Sequence, residues 1–310
     1  MRSRDVSLAV TVNVLWGINF AVIDLGLRDL PPLLFCALRF GAAAVPALFV
    51  LRRPNVAWRW VFAVGAALGV VKFGLLFAAM AAGMPAGLSA LVLQSQAIFS
   101  VVFAVVLLGE RPGRQRIAGL VVAAAGIGVV GFGVRGGPLG AFVLVLAAGA
   151  AWGLSNVATR RAAPPDMLRF MVWVSAVAAP LDAVLLLAIE GPARDLAALR
   201  GITWTSVAAI AYVAMVATLF GFGVWGALLR RYGASAVAPF SMLAPVFAIA
   251  SGAVLLGQPV RATDVVGGGT VLAGIWVGFI RPGRAGGRAA LPSADARSAA
   301  AGTAAPAARS

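Results

Sequence analysis

Residues 105–132, VVLLGERPGRQRIAGLVVAAAGIGVVGF, recur from residue 253 as AVLLGQPVRATDVVGGGTVLAGIWVGF (253–279). Leu107-Leu108-Gly109 matches Leu255-Leu256-Gly257, and Gly119 and Gly126 match Gly267 and Gly274, all 148 positions apart. Near the start of each half, Trp16-Gly17 matches Trp152-Gly153 at 136 positions, and a longer connection around 190–202, EGPARDLAALRGI, absorbs the difference. The chain reads as two copies of one unit.

The composition says what kind of unit. At 62% hydrophobic and 11% charged residues, with a mean hydropathy of +0.98, the chain is far too apolar for a water-soluble domain, which is about half apolar and a quarter charged. Crossing a hydrocarbon core of roughly 30 Å takes about 20 residues of helix. Ten apolar runs of that order are present: 7–25, 32–51, 60–80, 86–108, 115–133, 139–159, 168–189, 204–229, 235–256 and 263–280. The expected fold is therefore an all-α membrane protein of ten transmembrane helices. Residues 1–134 form a first five-helix repeat and 135–281 a second. Residues 282–310, rich in Ala, Gly, Ser, Pro and Arg, read as a disordered cytoplasmic tail. The first run lacks a small-residue cleavage site and reads as a retained helix.

Five is an odd number, so the second copy must enter the membrane with the opposite orientation, which predicts an inverted repeat. Loop charges give an independent reading. The loop 109–116, GERPGRQR, carries Arg111, Arg114 and Arg116, whereas its mate 257–264, GQPVRATD, keeps Arg261 and gains Asp264. Conversely, 83–87, GMPAG, is uncharged and its mate carries Arg230 and Arg231. Counting the N-terminus, alternate loops and the tail as one side places 18 of the 24 arginines there, so both termini are expected in the cytoplasm. The same rule explains the formal charge of +15 without nucleic acid. One cysteine and no histidine exclude a disulfide framework and a Cys/His metal centre. No metal site, cofactor, phosphate loop or nucleophile-base pair is expected, and the chain is not read as an enzyme. Two inverted copies make an architecture suited to a carrier whose site lies near the midplane.

Lys72 is the only lysine in the chain and lies in the middle of the apolar run 67–80, ALGVVKFGLLFAAM. A charge so deep is a functional candidate by default; its roles are a point charge for a carboxylate, a proton-linked switch, or a lysine bonded to helix carbonyls. Arg39 lies two turns into the second run, and its fork suits a carboxylate; Asp24 or Asp29 at the outer mouth would be alternative partners. Asp24, at the end of the first run, and Asp182, after Pro180, are candidates for proton relay or for structural pairing. Asn13, Asn19, Gln94, Ser95, Gln96, Ser155 and Asn156 must find partners across helices or face a cavity. Gln94 and Gln96 are about 200° apart on a helix, and the spacing of Ser89, Gln96 and Ser100 favours Gln96 for the cavity. Trp16, Trp152 and Trp225 lie away from the expected interfaces and either wall a cavity or pack the core. Gly65/Gly69 and Gly149/Gly153 are small-residue pairs that let helices approach. Pro239 and Pro245 are expected to kink the ninth helix near Ser241.

At 14–40, VLWGINFAVIDLGLRDLPPLLFCALRF, at 83–112, GMPAGLSALVLQSQAIFSVVFAVVLLGERP, and at 235–247, SAVAPFSMLAPVF, the sequence resembles the EamA family of the drug/metabolite transporter superfamily, over residues 5 to about 280. The resemblance implies an inner-membrane carrier that moves a small metabolite outward by alternating access, with a small amino acid of the cysteine or O-acetylserine type as the expected cargo. A hydrophobic or cationic drug is the alternative, and a receptor or scaffold a third class. The expected partners are a small-molecule substrate and the lipid bilayer, and a homodimer stays open. Positions in the matched segments carry over as Trp16, Asn19, Arg39, Gln94 and Gln96. Glu110 belongs to the LLGE motif and, beside Arg111, reads as a helix-end or gating pair, whereas its mate Gln258 is not acidic. Lys72 belongs to no motif of the family, so its candidacy rests on its depth in an apolar run alone; Asn156, Trp152, Trp225, Ser241, Asp24 and Asp182 are candidates by residue type and position and are not carried over from the family.

Overall fold

The computed structural model describes residues 1–49, 51–133 and 139–279; the expected tail at 282–310 lies outside the described residues. All regular structure among the described residues is helical, the form in which a chain crossing hydrocarbon satisfies its own backbone. Among the described residues eight helices are long and apolar enough to cross a membrane: α1 (Ser3–Leu27), α3 (Trp58–Ala81), α4 (Ala86–Leu108), α5 (Arg114–Gly133), α6 (Leu139–Ala162), α7 (Met167–Ile189), α8 (Trp204–Tyr232) and α9 (Ala238–Leu256). At the remaining two expected positions stand shorter apolar helices, α2 (Pro32–Leu48) and α10 (Ala262–Phe279). At 1.5 Å per residue the 17 residues of α2 reach about 26 Å, slightly less than the hydrocarbon thickness. The connection 190–202 is not a plain loop, because it contains a nine-residue helix, Pro192–Arg200.

Departures from α geometry come in pairs. α3 widens to π-helix over Gly65–Lys72, and α8 does so over Tyr212–Phe220. α4 tightens to a 3₁₀ turn at Leu93–Ser95, and α9 does so at Ala238–Met242. Gly109 ends α4 at φ 66°, ψ 21°, and Gly257 ends α9 at φ 64°, ψ 21°, a left-handed stop that glycine takes without a Cβ penalty. Pro239 is the second residue of the 3₁₀ turn of α9, and Pro245 falls in the first turn of the α-helical part that follows, where proline is tolerated.

Lipid gives helices no hydrophobic reason to associate, so close packing must hold them together, and here glycines provide it. A Cβ built on Gly119 would lie 2.5 Å from the Gly274 carbonyl oxygen, and one on Gly126 would lie 2.6 Å from the Val271 nitrogen and 2.8 Å from the Gly267 oxygen. Rising numbers on α5 meet falling numbers on α10, so this pair is antiparallel. The repeat-matched glycines thus pack on each other. A second match holds between pairs: Gly17 of α1 has no room for a Cβ against Ala244, Phe247 and Ala248 of α9, and Gly153 of α6 has none against Phe99 and Ser100 of α4. Elsewhere Phe35, Phe40 and Phe77 fill the interior between α2 and α3.

Candidate functional site

Three buried charged residues, Arg39, Lys72 and Asp182, lie where α2, α3 and α7 meet. Helical spacing puts Cys36 and Arg39 on one face of α2. α3 contributes Lys72, the last residue of its π-helical segment, and α7 contributes Asp182, which follows Pro180. Arg39 is 2% exposed, Lys72 5% and Asp182 not at all. The Arg39 guanidinium donates from Nη2 to Thr218 Oγ1 of α8 at 3.0 Å and lies 4.1 Å and 3.9 Å from the ring centroids of Phe40 and Phe73. Its Nε and Nη1 are sealed from solvent and have no hydrogen-bond partner. The Lys72 ammonium stands 3.2 Å from the centroid of Phe73 and 5.0 Å from that of Trp152. Aromatic faces attract a desolvated cation by about 2 kcal/mol, less than the several kcal/mol that burying the ion costs.

None of these charges forms an ion pair among the described residues. Both oxygens of Asp182 lack a hydrogen-bond partner, although the carboxyl interacts electrostatically with Arg39 and Cys36. The alternative partners considered for Arg39 are engaged elsewhere. Asp24 pairs with Arg28 one turn away at 3.5 Å, and Asp29 accepts from Thr203 Oγ1 at 2.7 Å and Ser206 Oγ at 2.8 Å. Those two hydroxyls hold the exposed Asp29 carboxyl below the usual carboxylate range.

Beside Lys72, Trp152 leads one turn along α6 to Asn156. The Asn156 amide donates to Gln96 Oε1 at 2.7 Å and to Ser100 Oγ at 3.1 Å, both on α4. Lys72, Trp152, Asn156, Gln96 and Ser100 therefore form a cation followed by a row of aromatic and amide groups. Gln94 is half-buried, within the 3₁₀ turn, and Ser89 is fully buried with an unpartnered hydroxyl. Trp16 and Trp225 belong to a second group, 5.3 Å apart between ring centroids, with Phe222 5.5 Å from Trp16. Trp16 Nε1 donates to the Ala217 carbonyl at 2.9 Å, inside the π-helical segment of α8, where the wider ladder leaves carbonyls available. Asn13 is fully buried and bonds back to Ala9. Asn19 has an unpartnered carbonyl oxygen, and Ser241 bonds to the Ala238 carbonyl at 2.7 Å.

Glu110 pairs with Arg160 at the end of α6 and not with adjacent Arg111. Its mate Gln258 accepts from the Ala86 backbone N–H at 3.0 Å and so ties the end of α9 to the start of α4. Sequence reasoning missed Thr218 and Phe73, which hold Arg39 and Lys72. Thr218 is the one hydroxyl deep in the run 213–220 and was open to notice. Phe73 is one of 17 phenylalanines and carried no signal.

Residues 4–132 and 139–280 fit the pattern of the EamA-like transporter family. The chain belongs to the EamA-like transporter family. It is similar to a Salmonella typhimurium protein described as "Probable amino-acid metabolite efflux pump", 37% identical over 286 residues, 89% of this chain and 95% of that one. A protein of the same description from Escherichia coli K12 is 35% identical over 285 residues, again 89% of this chain and 95% of that one. A crystal structure with 23% identity matches at a TM-score of 0.60, over 89% of this chain and 96% of the other, which shows likeness of fold. This EamA-like protein is a multi-pass membrane transporter and not an enzyme.

Proposed function

We propose that this EamA-like chain is an inner-membrane exporter of a small amino-acid metabolite, of the cysteine or O-acetylserine type, working by alternating access. The observation that carries this reading is the pair of buried cations. Lys72 and Arg39 are nearly sealed from solvent, both lie over the Phe73 ring, and neither forms an ion pair among the described residues. Breaking a buried pair costs about 3–5 kcal/mol because a charge is left uncompensated; a carboxylate arriving between such groups recovers energy of that kind. The amide and hydroxyl oxygens of Gln96, Asn156 and Ser100 offer acceptors for the ammonium end, and Trp152 walls the space between. Asp182, close enough to interact with Arg39, would compete with the cargo for that guanidinium and so is our candidate for coupling. A cationic drug would meet Lys72 and Arg39 as like charges, which disfavours the alternative cargo. The two relatives described as probable amino-acid metabolite efflux pumps agree in chemical class.

For the architecture, we read ten helices as two five-helix units, 1–134 and 135–281, with opposite orientation and cytoplasmic termini. The paired π segments, the paired left-handed glycines and the antiparallel Gly119/Gly126 against Gly267/Gly274 packing support this reading. Gating then falls to the ends of α4 and α9, where Glu110 and Gln258 hold different partners.

The test is uptake into inside-out vesicles carrying the purified protein under an imposed pH gradient. Labelled O-acetylserine and cysteine are compared with a panel of other amino acids and one lipophilic cation. Gradient-driven uptake selective for small amino acids is expected. Uptake of the cation alone would replace this reading with drug efflux.

A further inference from the structure

Separate from the buried charges, a cleft of about 400 Å³ opens on the bundle's flank between the start of α3 and the ends of α4 and α6. Trp60, Ala63, Leu107, Leu154 and Ala158 line it, and Arg161 closes one end. The walls are otherwise apolar, and the surroundings face outward: Phe62 is 55% exposed and Val106 71%. A membrane surface of that kind meets acyl chains.

Arg161 is the one charged residue of the lining, and the arginines near it at this end of the bundle are not equivalent. Arg160 is neutralised by Glu110. Arg161, one residue on, is exposed and has no hydrogen bond or ion pair among the described residues. Arg59 lies beside Trp60, its guanidinium 5.4 Å from that indole ring, and it too has no carboxylate partner among the described residues. Arg111 follows the end of α4 three residues beyond Leu108 and is likewise unpaired there. Three elements thus bring an apolar slot and unneutralised guanidinium groups to one end of the bundle, with a tryptophan at the level where such rings anchor at the interface. An apolar slot ending in a cation complements a molecule that is a long hydrocarbon at one end and an anion at the other.

We propose that this cleft binds an anionic glycerophospholipid from the leaflet at the arginine-rich end, with one acyl chain against Trp60, Ala63 and Leu154 and the phosphate against Arg161. A zwitterionic lipid offers no net charge to that end, and free phosphate makes no use of the slot. Each arginine near a lipid headgroup is worth about 1 kcal/mol, so about a fivefold preference is expected from Arg161 itself.

The experiment uses the full-length protein in phosphatidylcholine nanodiscs with and without phosphatidylglycerol, and reads retained lipid by native mass spectrometry. Thermal melting serves as the folding control. Wild type is expected to retain phosphatidylglycerol over phosphatidylcholine, and Arg161→Gln to lose about fivefold of that preference. Ala63→Trp, a change at an exposed wall residue, is expected to lower retention of both lipids with Arg161 intact, and it keeps the proposal testable should Arg161→Gln misfold. Equal retention of the two lipids by wild type, an unchanged preference in Arg161→Gln, or displacement of phosphatidylglycerol by inorganic phosphate would overturn the proposal.

Discussion

Replacing Gly126 by alanine adds one methyl group inside the close α5–α10 contact. The new Cβ would stand 2.6 Å from the Val271 nitrogen and 2.8 Å from the Gly267 oxygen, against an ordinary contact of about 3.4 Å, so 0.6–0.8 Å must be found. Both obstructing atoms belong to the α10 backbone, and no rotamer change can move them. The helices must separate, and overpacking of this kind costs about 1–3 kcal/mol. Alanine is also a better helix former than glycine by about 0.8–1.0 kcal/mol, which partly offsets the loss. Gly128→Ala isolates that gain, because two residues along the same helix nothing lies within 4 Å of the added carbon. The difference between the variants is then the clash alone. At about 2–4 °C per kcal/mol, Gly126→Ala should melt several degrees below Gly128→Ala in a fluorescence-detected thermal shift of the solubilised protein. If the two melt together, the close glycine contact between α5 and α10 does not hold the protein together.

Two further outcomes follow from the loops. Glu190 accepts from the backbone N–H groups of Leu33 at 2.8 Å and Leu34 at 3.0 Å, satisfying the start of α2 from the end of α7; Glu190→Ala should cost about 0.5–2 kcal/mol, as loss of a helix cap does, and Glu190→Gln less, read as melting temperature. Asp29 has its carboxyl lowered by Thr203 and Ser206, so its contribution is present above the unfolded value of about 3.9 and is lost as pH falls through the lower folded value. Asp29→Asn should therefore narrow the stability difference between neutral and acid pH relative to wild type in an acid melting series, and an unchanged series would show that the two hydroxyls do not stabilise the carboxylate.

How legible all this was in the sequence depended on the range of the interaction. Apolar runs announce helices because hydrocarbon thickness sets their length, and Gly109, Gly119 and Gly126 announced a repeat because their mates stand at a fixed offset. The π segments of α3 and α8 carried no such signal: GAALGVVK and YVAMVATLF share little beyond apolarity. The helix Pro192–Arg200 was hidden by its polar, loop-like composition, although Pro192 sits where a helix begins. In the site, Lys72 and Arg39 stood out as ions in apolar runs. Their surroundings did not, because Thr218 lies 179 residues from Arg39 in the chain and nothing local to either residue announces the meeting. Glu110 shows the same limit: Arg111 was the neighbour in sequence, and Arg160 the partner in space.

Whether a cargo carboxylate meets the buried cations is tested by vesicle transport of O-acetylserine against its methyl ester, in wild type and in Lys72→Met. A hydrogen bond to a charged group contributes about 1.5–3 kcal/mol, or about 10- to 150-fold in affinity. Wild type should transport the acid and be poorly inhibited by the ester, and Lys72→Met, inserted and folded as judged by its melting, should lose most of the discrimination between them. Wild type that moves acid and ester alike, or Lys72→Met that discriminates as wild type does, would contradict the assignment of Lys72 to the cargo carboxylate.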